Sequence, residues 1–251
     1  MNFWLTSESL EERNLLVEEF KSKRTTTGIN AIDLVFTNLY QGSVYGVCAA
    51  TGVGKTTFLL ATAKKMAEQG KRVLYLSIEM SIMQILNYCE NTIIPTLCVC
   101  EFDNQWDEVE EFVKANSIDI ICYDYIGARL NNWDDLIKEA DNLATFAKDN
   151  NIIVFTALQA SQEINKVDTS DETLYTPMYV SFSKGMINKF AGCAYILKNS
   201  LYCMKNRYEN IIHNPVPLQE LDYEKKEWKN GGFNGNTQTT SKMGPRVHST
   251  N

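Results

Sequence analysis

The chain has 251 residues, which suits one sizeable α/β domain with short appendages rather than two full domains. Its net charge of −7 excludes a simple basic nucleic-acid binder, although nucleic acid held in the channel of a ring needs only a few local lysines and arginines. The absence of any run of about 18 apolar residues excludes a helical membrane span.

The amino terminus, "MNFWLTSESLEER", turns acidic too early for a secretory signal, so the cytoplasm is the expected compartment. Residues 7–23 read as a helix. Ser9 and Glu12 have capping-box spacing, and Leu10, Leu16, Val17 and Phe20 form a loose apolar stripe. That stripe suits a helix packed on its own domain as well as an arm docked on a neighbouring subunit. Seven cysteines are scattered, mostly in apolar runs. Their odd count and the lack of a C-x-x-C pair point to reduced, buried thiols rather than a metal site.

After turn signals at Gly28 and Gly42, strands and helices alternate. Strands are predicted at 44–49, 72–78, 96–101, 118–125 and 152–158, with helices at 56–69, 81–91, 105–115 and 133–150. The strands are short continuous apolar runs, as in a parallel sheet buried on both faces. The fold class is therefore α/β, a doubly wound and mainly parallel sheet flanked by helices. Segments near 192–198, 201–206 and 217–223 read as a meander that adds an antiparallel carboxyl-terminal edge. Residues 229–251 are rich in Gly, Asn and Thr and read as a disordered tail. The expected organisation is an arm over 1–24, an α/β domain over 25–228 and a tail over 229–251.

The stretch "AATGVGKTT" fits a phosphate-binding loop, with Ala49 where the pattern G-x-x-x-x-G-K-[ST] opens on glycine. A small residue suffices there. The cradle comprises Ala49, Ala50, Thr51, Gly52, Val53, Gly54, Lys55, Thr56 and Thr57. Gly52 and Gly54 allow the backbone N–H groups to turn towards phosphate, and the following helix adds its positive end. Lys55 would reach the β- and γ-phosphates, and the Thr56 hydroxyl would ligate magnesium.

Other strand ends supply partners. Glu79 follows "RVLYLSI" and would orient or deprotonate the attacking water, although taken alone a strand-end glutamate more often caps the next helix. Asp124 ends the apolar run "IDIICYD" and is placed to hold Mg²⁺. Gln159 ends "IIVFTAL" and would sense the γ-phosphate.

In this order the motifs resemble the RecA-fold ATPases, and more closely the ATPase domain of DnaB-type hexameric replicative helicases. "TTTGINAIDLVFTNLYQGS" is similar to the family's opening segment. "AATGVGKTTF" is similar to its loop, "LSIEMS" to the segment with the catalytic glutamate, "IICYDYIG" to the magnesium-acid strand and "FTALQAS" to the sensor segment. "MKNRYE" resembles the Lys-x-Arg hairpin that reaches a neighbour's ATP, which places Lys205 and Arg207. The match spans residues 25–228. "VSFSKGMINKFAGCAYI" follows the family only loosely, and the family's large amino-terminal domain is replaced by a short helix, as in a trimmed phage or plasmid version.

The resemblance implies a homo-oligomer, a hexameric ring with ATP and Mg²⁺ between subunits, and single-stranded DNA in the channel. A primase or a helicase loader is an implied partner. Loop residues Arg129, Lys166 and Lys184 are candidates for DNA contact, with Trp133 and Tyr175 as stacking surfaces. Two alternatives stay open. One is a RecA- or KaiC-like DNA-dependent ATPase that does not unwind. The other is an assembly protein switched by nucleotide, which Glu79 argues against.

Overall fold

The computed structural model describes residues 10–89, 94–128, 132–181 and 184–229. Helix α1 (Leu10–Ser22), strand β1 (Arg24–Thr25), helix α2 (Asn30–Phe36) and strand β2 (Leu39–Tyr40) open the chain, with β1 and β2 paired antiparallel. The alternating units follow: β3 (Ser43–Ala49), α3 (Lys55–Glu68), β4 (Val73–Ser77), α4 (Ile82–Tyr88), β5 (Leu97–Glu101), α5 (Trp106–Asn116), β6 (Ile120–Asp124), α6 (Trp133–Asp149) and β7 (Ile153–Gln159). Three 3₁₀ turns lie between β7 and the short helix α7 (Lys184–Ile187). Then come β8 (Gly192–Leu197), β9 (Ser200–Asn206), β10 (Val216–Pro217) and a separate hairpin of β11 (Leu221–Asp222) and β12 (Glu227–Trp228).

The main sheet has eight strands in the order β10-β9-β8-β3-β7-β6-β4-β5. From β8 to β5 every pairing is parallel, and β9 and β10 join antiparallel at the far edge. This is a RecA-like α/β fold. Strands β3, β4 and β6 are buried at every residue, which is what their uninterrupted apolar sequences require when helices cover both faces. On one face Phe36 of α2 and Phe58 and Leu59 of α3 pack with Tyr75 and Phe155. On the other, Val113 of α5 and Leu143 of α6 pack with Leu76 and Tyr123.

Except near 217–223, the predicted helices and strands occur, shifted by a residue or a few at their ends. The segment expected as one strand near 217–223 is divided: Pro217 cannot donate to a ladder, pairing with β9 stops there, and Leu221 belongs to the separate hairpin. Ser9, half of the expected capping box, lies outside the described residues, as does the tail from residue 230. In α1, Phe20 stacks on Tyr40 at 4.7 Å and tilts against Tyr208 at 5.6 Å, so the end of the helix is held to its own domain. Leu15 remains 71% exposed, and Leu16 and Val17 are exposed too. All seven cysteines are free thiols; Cys98 and Cys100 on edge strand β5 are half-buried and the other five are buried.

The opening segment is closed by one carboxylate. Asp33 accepts from the Thr27 and Gly28 backbone N–H groups at 2.7 and 2.9 Å and from the Thr27 hydroxyl at 2.8 Å. Burial raises the Asp33 pKa, and these donors oppose the rise. The turn fixes where α2 lands on the sheet beside β3.

Candidate nucleotide site

The loop between β3 and α3 takes the shape its glycines permit. Gly52 and Gly54 have φ of +81° and +108°, in the region that side-chain-bearing residues avoid. A Cβ at Gly54 would also lie 2.8 Å from the Tyr223 ring. Ala49, the departure from the usual glycine, is the last residue of β3 and fully buried, so a small side chain is what the position demands. Helix α3 starts at Lys55 with no side-chain cap, leaving its first N–H groups to face the loop.

Lys55 is almost buried. Its ammonium donates to Gln159 Oε1 at 2.9 Å and to the Ala49 and Ala50 carbonyls at 3.3 and 3.5 Å. Burial lowers its pKa, while Cys48, Asp124 and Glu79 pull it back up. Gln159 is placed by its register opposite Ala49 on β3, and its amide donates to the Thr51 hydroxyl at 2.8 Å. One side chain thus joins the strand end, the lysine and the loop.

Asp124 ends β6 with 1% exposure. Its Oδ2 accepts from the Tyr75 hydroxyl at 2.8 Å, while Oδ1 is buried with no hydrogen-bond partner. Burial raises the Asp124 pKa, the hydroxyls of Tyr75 and Thr56 oppose this, and Glu79 adds to it. A buried, unpartnered carboxylate oxygen close to a threonine hydroxyl is a donor set suited to a hydrated hard cation, so the residues present fit magnesium. Glu79 lies just past β4, exposed; burial raises the pKa of the Tyr125 hydroxyl, and the nearby Glu79 adds to the rise. It does not cap α4: Ser81 does, in a capping box with Gln84, and Glu101 takes the Ile82 N–H at 2.6 Å.

The structure therefore brings together Lys55, Thr56, Glu79, Asp124 and Gln159 at the carboxyl ends of β3, β4, β6 and β7, neighbours in the sheet. Lys205 and Arg207 stand elsewhere. Asn206 pairs with Gly192, and Gly192 lies beside Tyr45, so both cations sit at the amino-terminal edge of the parallel strands. A seven-residue strand is roughly 20 Å long, and neither cation reaches its own chain's loop. Lys205 donates to the Ile187 carbonyl at 2.8 Å and Arg207 to the Asn188 carbonyl at 2.9 Å.

Lys166 is exposed in the first 3₁₀ turn after β7. Lys184 begins α7, and Arg129 lies outside the described residues. Trp133 begins α6. The Tyr175 ring is engaged within the chain, 4.9 Å from His213 and 5.9 Å from Tyr202.

Sequence reasoning missed three tyrosines. Tyr75 sits mid-strand, and nothing in its apolar run marks it as the partner of Asp124. Tyr125 follows Asp124 directly, and its ring lies 5.7 Å from the Lys55 ammonium. Tyr223 comes from the β11–β12 hairpin, which is fastened to α3: Trp228 meets Phe58 edge-on at 5.7 Å, and Lys64 pairs with Glu227 at 2.7 Å.

Residues 25–96, from the opening turn through the phosphate loop and Glu79, match the family described as DnaB-like helicase C terminal domain. DNA repair protein RadA of Campylobacter jejuni is 42% identical to the chain over 81 residues, covering 32% of this chain and 18% of RadA. RadA of Mycolicibacterium smegmatis is 45% identical over 67 residues, covering 26% and 14%. The chain thus spans less than a fifth of the length of the curated relatives it matches. Among solved structures, one described as an ATPase domain aligns with a TM-score of 0.68 at 15% identity, over 90% of this chain and all of that one. That likeness carries the fold. Among the described residues, no helix is long and apolar enough to cross a membrane.

Proposed function

We propose that this chain is a DnaB-type motor ATPase that hydrolyses ATP between the subunits of a hexameric ring and moves on single-stranded DNA in the cytoplasm. The observation that carries the reading is the meeting of Lys55, Gln159, Glu79 and the orphaned Asp124 oxygen at one end of the sheet, under a glycine loop and a bare helix end. Lys55 and the loop N–H groups bind the triphosphate. Glu79 orients a water towards the γ-phosphorus and accepts its proton. Thr56 and Asp124 would hold Mg²⁺, which would supply positive charge to the phosphate groups. Gln159 is positioned to report whether the γ-phosphate is present, since the 3₁₀ turns follow it directly. Residues 25–228 form the ATPase domain, 1–24 an arm and 229–251 a tail.

Arg207 and Lys205 complete the site of a second copy. Their place at the opposite edge of the sheet is what a head-to-tail ring requires, because one subunit's two ends meet different neighbours. Arg207→Ala should lower turnover roughly 10³-fold or more while leaving ATP binding in place. Near-normal turnover would remove the trans role. Strand displacement on a forked duplex, with turnover stimulated by single-stranded DNA, tests the motor itself. The resemblance to RadA over 81 residues favours a second reading, a DNA-dependent ATPase acting in repair or recombination without unwinding. Stimulation by DNA with no displacement would select it.

A further inference from the structure

At the amino-terminal edge of the sheet a polar cavity of about 200 Å³ opens between elements far apart in sequence. Lys148 enters it from the last turn of α6, Lys189 from the segment after α7 and Arg207 from the end of β9, over a floor of Gly42 and Ser43. Lys205, two residues before Arg207, lies close by. Four cations therefore gather at one place on a chain whose net charge is −7.

Structural duty does not account for them. Lys148 has no ion-pair partner among the described residues. Lys189, half-buried, pairs with Asp141 at 2.6 Å, but that carboxylate is exposed and such a pair holds its lysine loosely. Arg207 gives one N–H to the Asn188 carbonyl and keeps donors free for an anion. Tyr208 and Ser43 share a hydrogen bond at 3.2 Å beside the cavity, and Phe20 braces Tyr208 from α1, so the floor is firm.

The nucleotide end of the same sheet has the opposite deficiency. Of the five residues gathered there, Lys55 alone is cationic, whereas a triphosphate undergoing cleavage calls for several positive groups. We propose that the cavity bordered by Lys148, Lys189 and Arg207 is the phosphate-receiving half of an interface with a second copy of this chain, in which Lys148 and Lys189 act beside Arg207 on the terminal phosphates of the nucleotide held by that copy's Lys55 loop. This rests on the reading of Arg207 as a trans-acting group and adds two lysines to it. Nucleic-acid phosphate is the other source of the same chemistry, and the test separates the two.

Lys148→Gln together with Lys189→Gln should bind Mg-ATP but hydrolyse it at least roughly 10-fold more slowly, and Lys148→Arg with Lys189→Arg should keep most of the turnover. The decisive arm is mixing. The double Gln variant keeps its Lys55 loop, and a Lys55→Ala chain keeps its cavity. In a head-to-tail assembly of the two at equal amounts, about a quarter of interfaces join an intact loop to an intact cavity. Turnover above the sum of the separate variants is expected. Arg207→Ala mixed with Lys55→Ala is the control for the underlying reading; no recovery there, or no hydrolysis by the parent chain, would overturn both. Recovery in that control but none with the double Gln variant would overturn the present proposal alone. So would parental turnover by the double Gln variant, with or without a loss of binding to a single-stranded oligonucleotide. A loss there would assign the lysines to nucleic-acid phosphate. Lys148→Gln alone, at a residue without an ion pair, guards against a folding defect and should show part of the slowing.

Discussion

The Lys55 ammonium lies 2.9 Å from Gln159 Oε1, and the amide nitrogen of the same Gln159 lies 2.8 Å from the Thr51 hydroxyl. The glutamine is thus held at both ends of its amide, by the group proposed to bind phosphate and by the glycine loop. Gln159→Glu would place a carboxylate against the ammonium and hold it more tightly, because a charge-assisted bond is stronger than a neutral one. ATP affinity should fall roughly 10-fold or more, while Gln159→Ala should lose turnover with little change in affinity. Equilibrium titration with an ATP analogue, set beside steady-state rates, measures both.

Glu79 and Ser81 are two residues apart and do different work. Ser81 and Gln84 close the start of α4, whereas Glu79 faces solvent near Tyr125 and Asp124. Glu79→Gln should therefore bind ATP normally and turn over roughly 10² to 10⁴ times more slowly, with an unchanged unfolding midpoint. Ser81→Ala should cost about 1 kcal/mol of stability and leave the chemistry largely in place. If both variants lost stability and neither lost turnover, Glu79 would be a structural residue.

The β11–β12 hairpin ties the end of the described chain to the phosphate-loop helix. Trp228 is 6% exposed, meets Phe58 edge-on and donates to the Thr62 hydroxyl at 3.3 Å. Trp228→Ala should cost about 3 kcal/mol through the lost ring and the space it leaves. Glu227→Ala should cost less, about 1 kcal/mol, because its carboxylate is 40% exposed and Lys64 keeps its bond to the Tyr88 carbonyl at 3.2 Å. Urea unfolding checks both. ATP affinity should fall too, since Tyr223 is carried by the same hairpin beside Gly54.

The parallel part of the fold was legible because strands buried on both faces, such as "IDIICYD", write themselves as continuous apolar runs between turn residues. The same rule located the strand ends, and with them Lys55, Glu79, Asp124 and Gln159. Tyr75 and Tyr125 were not legible, since an aromatic residue in an apolar run reads as core whether or not its hydroxyl meets a carboxylate. The hairpin that carries Tyr223 was hidden by its brevity: two-residue strands have no periodicity to detect. The meeting of Lys148, Lys189 and Arg207 depends on contacts between α6, the segment after α7 and β9, which no local pattern encodes.

The trans role proposed for Lys205 implies a pH dependence. Its partial burial, with the Arg207 guanidinium beside it and Cys193 opposing, brings its pKa down from the ordinary lysine range to about 8. The depressed value means that the folded chain binds this proton less readily than the unfolded chain does. Stability should therefore rise slightly with pH between about 8 and the ordinary lysine value, where the folded form has released the proton and the unfolded form still holds it. Function should move the other way. A neutral Lys205 contributes no charge to a neighbour's phosphates, so kcat/KM for ATP, which reports the free enzyme, should fall as pH rises through about 8. Phosphate beside the ammonium favours the proton, so the fall in kcat should come at higher pH. Lys205→Arg, charged throughout, should remove the limb near 8 from kcat/KM. A limb that persists unchanged in that variant would belong to another group and would take Lys205 out of the site.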